Sequence, residues 1–204
     1  MPLVYQQNIN AGTKIAVWHI TEAEDFFAAI PLQKTITHPQ KRLQHLAGRF
    51  LLREMYPDFP LALIKIADTR KPFLEDEAYH FSISHCRDYA AVLISRSQRA
   101  GVDIEKISEK IGSILHKFLT AEESFLMPRG AIEKTATLFW SVKESIYKWQ
   151  GTGGTDFKEH IRIEKFTGQL DEGVVHCIFN NSISLKVHYL FFNGNFLTWV
   201  LSDH

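Results

Sequence analysis

Apolar and polar positions alternate, cluster or recur along this chain in ways that predict most of its elements. Residues 14–20, KIAVWHI, form a β-branched and aromatic run that predicts a strand. Residues 39–56, PQKRLQHLAGRFLLREMY, repeat apolar positions at helical spacing after a proline, the pattern of a helix that begins at Pro39. Residues 61–67, LALIKIA, read as a strand. In residues 79–96 the alternation of FSISH and the turn-prone Cys86-Arg87-Asp88 between apolar runs predict a hairpin. Residues 99–107 read as another strand, followed by helical stretches at 114–126 and 132–149. Four short runs, at 161–166, 173–180, 184–192 and 195–202, are separated by Gly, Asn and Asp and predict an antiparallel meander. Each half thus offers a sheet plus helices. The expected fold is α+β, with two similar subdomains at 1–100 and 101–204 and an active-site cleft between them.

Composition narrows the class. In 204 residues, 45% are hydrophobic, and 23 Lys and Arg balance 23 Asp and Glu. Zero net charge argues against a protein that neutralises long nucleic acids, so any phosphate it handles is expected to be small. Cys86 and Cys177 lie far apart with no zinc-site spacing and read as free thiols of a reducing cytoplasm. The first residues lack a basic region followed by an apolar stretch, and no apolar run reaches the ~20 residues of a membrane helix. A soluble, cytoplasmic protein without nucleic-acid or membrane partners is expected.

Four groups of residues could carry chemistry. In GVDIEK the strand period puts Asp103 and Glu105 on one face, two oxygen ligands of the kind Mg²⁺ takes alongside water and phosphates; a half-buried strand with a solvated face explains them equally. In FWSVKESIYKW, Trp140, Glu144 and Lys148 share a helical stripe, either an exposed Glu144–Lys148 pair or a cleft wall. Pro72 fixes the backbone after Lys71, and Ser84-His85 stand where a hydroxyl and an imidazole could reach an anion beyond a sheet, or are turn residues with no role. Arg42, Arg49 and Arg53 fall on one stripe of the first helix, and no acid occurs from Gln33 to Arg53, which also holds Lys34 and Lys41. Gly151-Thr152-Gly153-Gly154 follows a helix and reads as a helix stop, not a phosphate loop.

The order KP, SISH, GVDIE, FxxxE and FWSVKESIYK, across residues 41–151, resembles the 4′-phosphopantetheinyl transferases of the larger, Sfp type. That resemblance implies a pseudo-twofold pair of α+β subdomains, working as a monomer. It also implies transfer of the phosphopantetheine arm of coenzyme A to a serine of an apo acyl or peptidyl carrier protein, with release of adenosine 3′,5′-bisphosphate. Mg²⁺ would be bound by Asp103, Glu105 and Glu144. Lys148 would contact the pyrophosphate, and Lys71, Ser84 and His85 would bind the nucleotide and its 3′-phosphate. Lys143 would sit by the reacting phosphate, and Glu123, or Glu144 through water, would take the serine proton. Gln44 stands where some relatives carry an arginine, so the 3′-phosphate contact would pass to Arg42 or Arg49. The alternatives are a non-catalytic module that binds coenzyme A or a carrier, and a metal-dependent phosphohydrolase. The basic stretch suits an acidic carrier surface.

Overall fold

The computed structural model describes residues 2–32, 35–128 and 130–202. The chain divides into two compact units, one running to Ala100 and the other formed by Gly101–Ser202. Both are mixed α and β, each an antiparallel sheet carrying one long helix.

In the first unit, β1 (Leu3–Asn10) and β2 (Thr13–His19) form a hairpin. After a 3-10 turn at Glu24–Phe27 comes α1 (Pro39–Met55), which starts with Pro39 in its first turn after the extended His38. β3 (Lys65–Ile66) and β4 (Pro72–Phe73) make a small ribbon, and β5 (His80–Cys86) and β6 (Tyr89–Ser95) a second hairpin whose turn residue Arg87 has φ +50°. The four-stranded sheet has the order β1-β2-β6-β5. Helix α1 lies on it, burying Leu46, Ala47, Leu51 and Leu52 against Ala16, Trp18, Val92 and Ile94. Gln44 donates from Nε2 to the Arg87 carbonyl at 2.7 Å and pins the helix to the β5–β6 turn.

The second unit begins at the end of β7 (Arg99–Lys106) that follows Ala100. Helices α2 (Ile111–Phe118), α3 (Ala121–Phe125) and α4 (Ile132–Gln150) follow, and then β8 (Ile161–Gln169), β9 (Glu172–Phe179), β10 (Ile183–Phe192) and β11 (Asn195–Ser202). Its sheet order is β7-β11-β10-β9-β8: the expected meander, with β7 added at the open side of β11. Phe139, Val142 and Ile146 of α4 are buried with Val175, Val187, Phe196 and Val200 of the sheet. Gly151, at φ +74°, ends α4 in the left-handed conformation, as the glycine-rich stop predicts.

Three expectations are corrected. β1 was not expected, because its polar residues are exposed on both faces and leave no alternation to detect. Residues 61–67 are not one strand but a 3-10 turn (Leu61–Leu63) followed by two-residue β3; Leu61 and Ile64, three apart, are the buried positions. The helical stretch 114–126 is two helices. Leu119 is extended, and Thr120 opens α3 with a capping box: its hydroxyl accepts from Glu123 N and the Glu123 carboxylate accepts from Thr120 N. Gln33 and Lys34 of the basic stretch lie outside the described residues. Both cysteines are free, and among the described residues no helix is long and apolar enough to cross a membrane.

Candidate active site

In the second unit the site grows from a close approach of strand to helix. A Cβ on Gly101 would lie 2.1 Å from the Ser145 carbonyl oxygen and 2.7 Å from Trp149 N, so only glycine lets β7 lie against α4 here. Two residues further along the same face, Asp103 is buried under the helix. Its Oδ1 accepts from Lys148 Nζ at 2.6 Å and its Oδ2 from the Ser141 hydroxyl at 2.8 Å. The Thr198 hydroxyl on β11 donates in turn to the Ser141 carbonyl. The half-buried, solvated strand is therefore the wrong account of GVDIEK, and Lys148, whose ammonium serves Asp103, is not part of a simple exposed pair with Glu144.

Glu144, one turn before Lys148, is half-buried. Burial, then the negative Asp103, pushes its carboxyl up to about 7, while Lys148 partly offsets them. Glu105 is half-buried two residues beyond Asp103. Among the described residues no three His, Cys, Asp or Glu side chains converge as a metal cluster. Asp103 and Glu144 are the carboxylates brought near each other, and Lys148 supplies the local positive charge. Those two still fit a hard divalent cation. Mg²⁺ needs only one or two protein carboxylates beside water and phosphate, and two carboxylates that repel each other gain from a shared cation.

Lys143 and Glu123 do not fit the catalytic roles expected of them. The Lys143 side chain is wholly buried, and that of Glu123 is 1% exposed. Lys143 Nζ is surrounded by the carbonyls of Phe118, Phe157 and Ile161 at 2.8–2.9 Å and by both Glu123 carboxylate oxygens. Glu123 Oε1 also accepts from Ile163 N at 2.8 Å. Burial lowers the Lys143 pKa and Glu123 pulls it back up. This is a structural knot that ties α2, α3 and β8 to α4. Its ammonium and its carboxylate are both already fully engaged by the protein.

The first unit holds a separate basic cavity of about 520 Å³, lined by Lys41, His45, Arg49, Arg70 and His85 together with Gln44, Ile36, Ile66, Pro72 and Ile83. Five of its side chains are basic and none is acidic. Arg49 is 5% exposed; its Nη1 lies 3.1 Å from His45 Nδ1, and its Nε has no hydrogen-bond partner among the described residues. Burial pulls its pKa down to about 10, so it stays cationic at neutral pH. His85 reaches this cavity because it shares a strand face with Ile83, which meets α1 at Gly48. Ser84 points to the opposite face, buried, and is not among the lining residues.

The other cations of this unit divide differently from expectation. Arg42 is removed from the candidate set: its guanidinium pairs with Glu24 at 2.6 Å and donates to the Ile36 carbonyl. The stripe of three arginines therefore splits, since Arg53 donates to the Ala29 carbonyl. Lys71 adjoins the lining residues Arg70 and Pro72, and burial, with Arg99 nearby, lowers its pKa to about 8. His45 and Arg70 escaped the sequence reading. His45 stands one helical turn before Arg49, a detectable i, i+4 signal; Arg70, with φ +67°, gives no sequence signal for its position.

Residues 99–195 match the family model described as the 4′-phosphopantetheinyl transferase superfamily. This segment, just under half of the chain, is similar to that superfamily. The match contains Asp103, Glu105, Glu144 and Lys148. Curated relatives include enterobactin synthase component D of Salmonella austin, 35% identical over 112 residues, covering 53% of this chain and 47% of the relative. The protein of the same name from Escherichia coli O157:H7 is 36% identical over 118 residues, 53% of this chain and 54% of its own. The chain spans about half the length of the curated relatives it matches. The strand-to-helix contact at Gly101 and the acid-and-lysine cluster beyond it lie within one continuous matched segment.

Proposed function

We propose that the protein transfers the 4′-phosphopantetheine arm of coenzyme A to a serine hydroxyl of an apo acyl or peptidyl carrier protein, releasing adenosine 3′,5′-bisphosphate. The observation that carries this reading is the cluster of Asp103, Glu144 and Lys148 inside the superfamily segment. Asp103 and Glu144, with Glu105 beside them on β7, are the residues to hold Mg²⁺. The ion would neutralise phosphate oxygens and stabilise the leaving bisphosphate.

The chain's own groups supply position and charge. Ser141 and Lys148 hold both oxygens of Asp103 in place, so the carboxylate is oriented before any ligand arrives. Lys148, a quarter exposed, is the cation we assign to a pyrophosphate oxygen. Of the two candidate bases, Glu144 retains access to solvent, and it is the group to which we assign the serine proton. The basic cavity of the first unit, through Arg49, His85, His45, Lys41 and Arg70, suits the 3′-phosphate and nucleotide of coenzyme A, with Lys71 as a flanking contributor. The acceptor is a carrier protein, in keeping with relatives named as a component of a synthase.

Incubation with coenzyme A, Mg²⁺ and a panel of apo carrier proteins, read by intact mass, tests this. A serine-linked phosphopantetheine mass on at least one carrier, lost in Asp103→Ala, is expected. No addition to any carrier overturns the reading.

A further inference from the structure

The outer face of the second unit's sheet carries positive charge that the proposed chemistry does not use. Val175, Cys177, Leu185, Val187 and Tyr189 point to the core, so Val174, His176 and Ile178 of β9 and Ser184, Lys186 and His188 of β10 point outward. The register sets Lys165 opposite His176 and His176 opposite Lys186, a basic row across three strands. In the next row His188 faces Trp199 and stacks on it, ring centroids 5.5 Å apart. Lys165, Lys186 and His188 are exposed.

Two acids lie near this row. Glu164, at the β8 irregularity, pairs with Arg162 at 3.1 Å, and Glu172 stands at the far end of β9, two rows from His176. Lys165 and Lys186 flank His176 from the two neighbouring strands, and two ammonium groups on one face are stabilised by a counter-charge from outside. A partner bearing acidic side chains meets that need. Nucleic acid fits less well: the chain has no net positive charge, Arg162 is engaged by Glu164, and Trp199 is 8% exposed beneath His188, leaving little aromatic surface for a base.

We propose that the outward face of β8, β9 and β10, through the ammonium groups of Lys165 and Lys186 on either side of His176, docks an acidic protein surface. The docking is electrostatic and separate from the Asp103 cluster. It rests on the transferase reading only in the choice of probe, an apo acyl carrier protein labelled for fluorescence anisotropy and used without coenzyme A. Affinity for the wild-type chain is expected to fall as salt rises from about 50 to 300 mM. Lys165→Glu with Lys186→Glu is expected to weaken binding by about fivefold or more at low salt and to flatten the salt dependence, while binding of coenzyme A is unchanged. The milder pair Lys165→Gln and Lys186→Gln, expected to lose about twofold, decides the matter if the reversed pair fails to fold. No binding by the wild type, an unchanged affinity in the variants, or tighter binding of a single-stranded oligonucleotide at this face overturns the proposal. Binding with this pattern but without phosphopantetheine transfer to any carrier leaves the docking surface standing and removes the transferase reading.

Discussion

At the scale of single residues, environment separates carboxylates and lysines that look alike in the sequence. Glu144 and Glu123 lie on helices of the same unit, yet one stays near solvent with a raised pKa and the other is locked to Lys143. Raising a carboxyl's pKa on folding favours the native state below the unfolded value and withdraws that support as pH climbs through the native value, about 7 here. Glu144→Gln, measured by thermal unfolding without metal, is therefore expected to stabilise the protein at pH 8 by on the order of 1–2 kcal/mol and to change little at pH 4. Lys143→Met leaves a buried carboxylate without its counter-charge and is expected to cost about 3–5 kcal/mol, roughly 10 °C in Tm. Adding Glu123→Gln, which removes the unpaired charge but leaves one amide oxygen to accept from Thr120 N or from Ile163 N, not both, should recover part of that loss. Transfer assays on folded protein sort the roles: Lys143→Met is expected to lose less than about tenfold in kcat, and Asp103→Asn more than about a hundredfold.

At the scale of elements, a glycine and a cap set where the site's helices lie. Gly101 makes the β7–α4 contact against backbone atoms that cannot move aside, whereas a Cβ at Gly48 would meet the Ile83 side chain. Gly101→Ala is thus expected to cost roughly 3 kcal/mol and to depress transfer, by driving Asp103 away from Lys148. Gly48→Ala should cost much less in the same unfolding measurement, since Ile83 can shift. The sequence announced both long helices and most of the meander, whose apolar positions repeat at the period of a buried face, and the β5–β6 hairpin, where turn residues separate FSISH from an apolar run buried on both faces of β6. It concealed β1, where neither face is buried, and the break at Leu119-Thr120, where apolar spacing runs on through a local cap.

For the whole molecule, neutrality is a sum of opposed local charges. The first unit has a basic cavity, the second has a carboxylate pair and a basic outer sheet face, and zero net charge hides all three. Adenosine 3′,5′-bisphosphate at about a hundred times its Kd is expected to stabilise the native protein by about 2.7 kcal/mol. If the cavity is its seat, Arg49→Gln should abolish the rise in Tm while Asp103→Asn leaves most of it; the reverse ranking would exclude the cavity. By itself the sequence determined the element types and the order of the chemical motifs, because periodicity and punctuation act over neighbouring residues. Tertiary structure alone decided which of those residues serve chemistry and which serve the core. Lys143 and Lys148 are five positions apart on one helix, and only the carbonyls of Phe118, Phe157 and Ile161, gathered from three distant segments, bury the first while the second stays at the surface. That division depends on long-range burial, which no local pattern encodes.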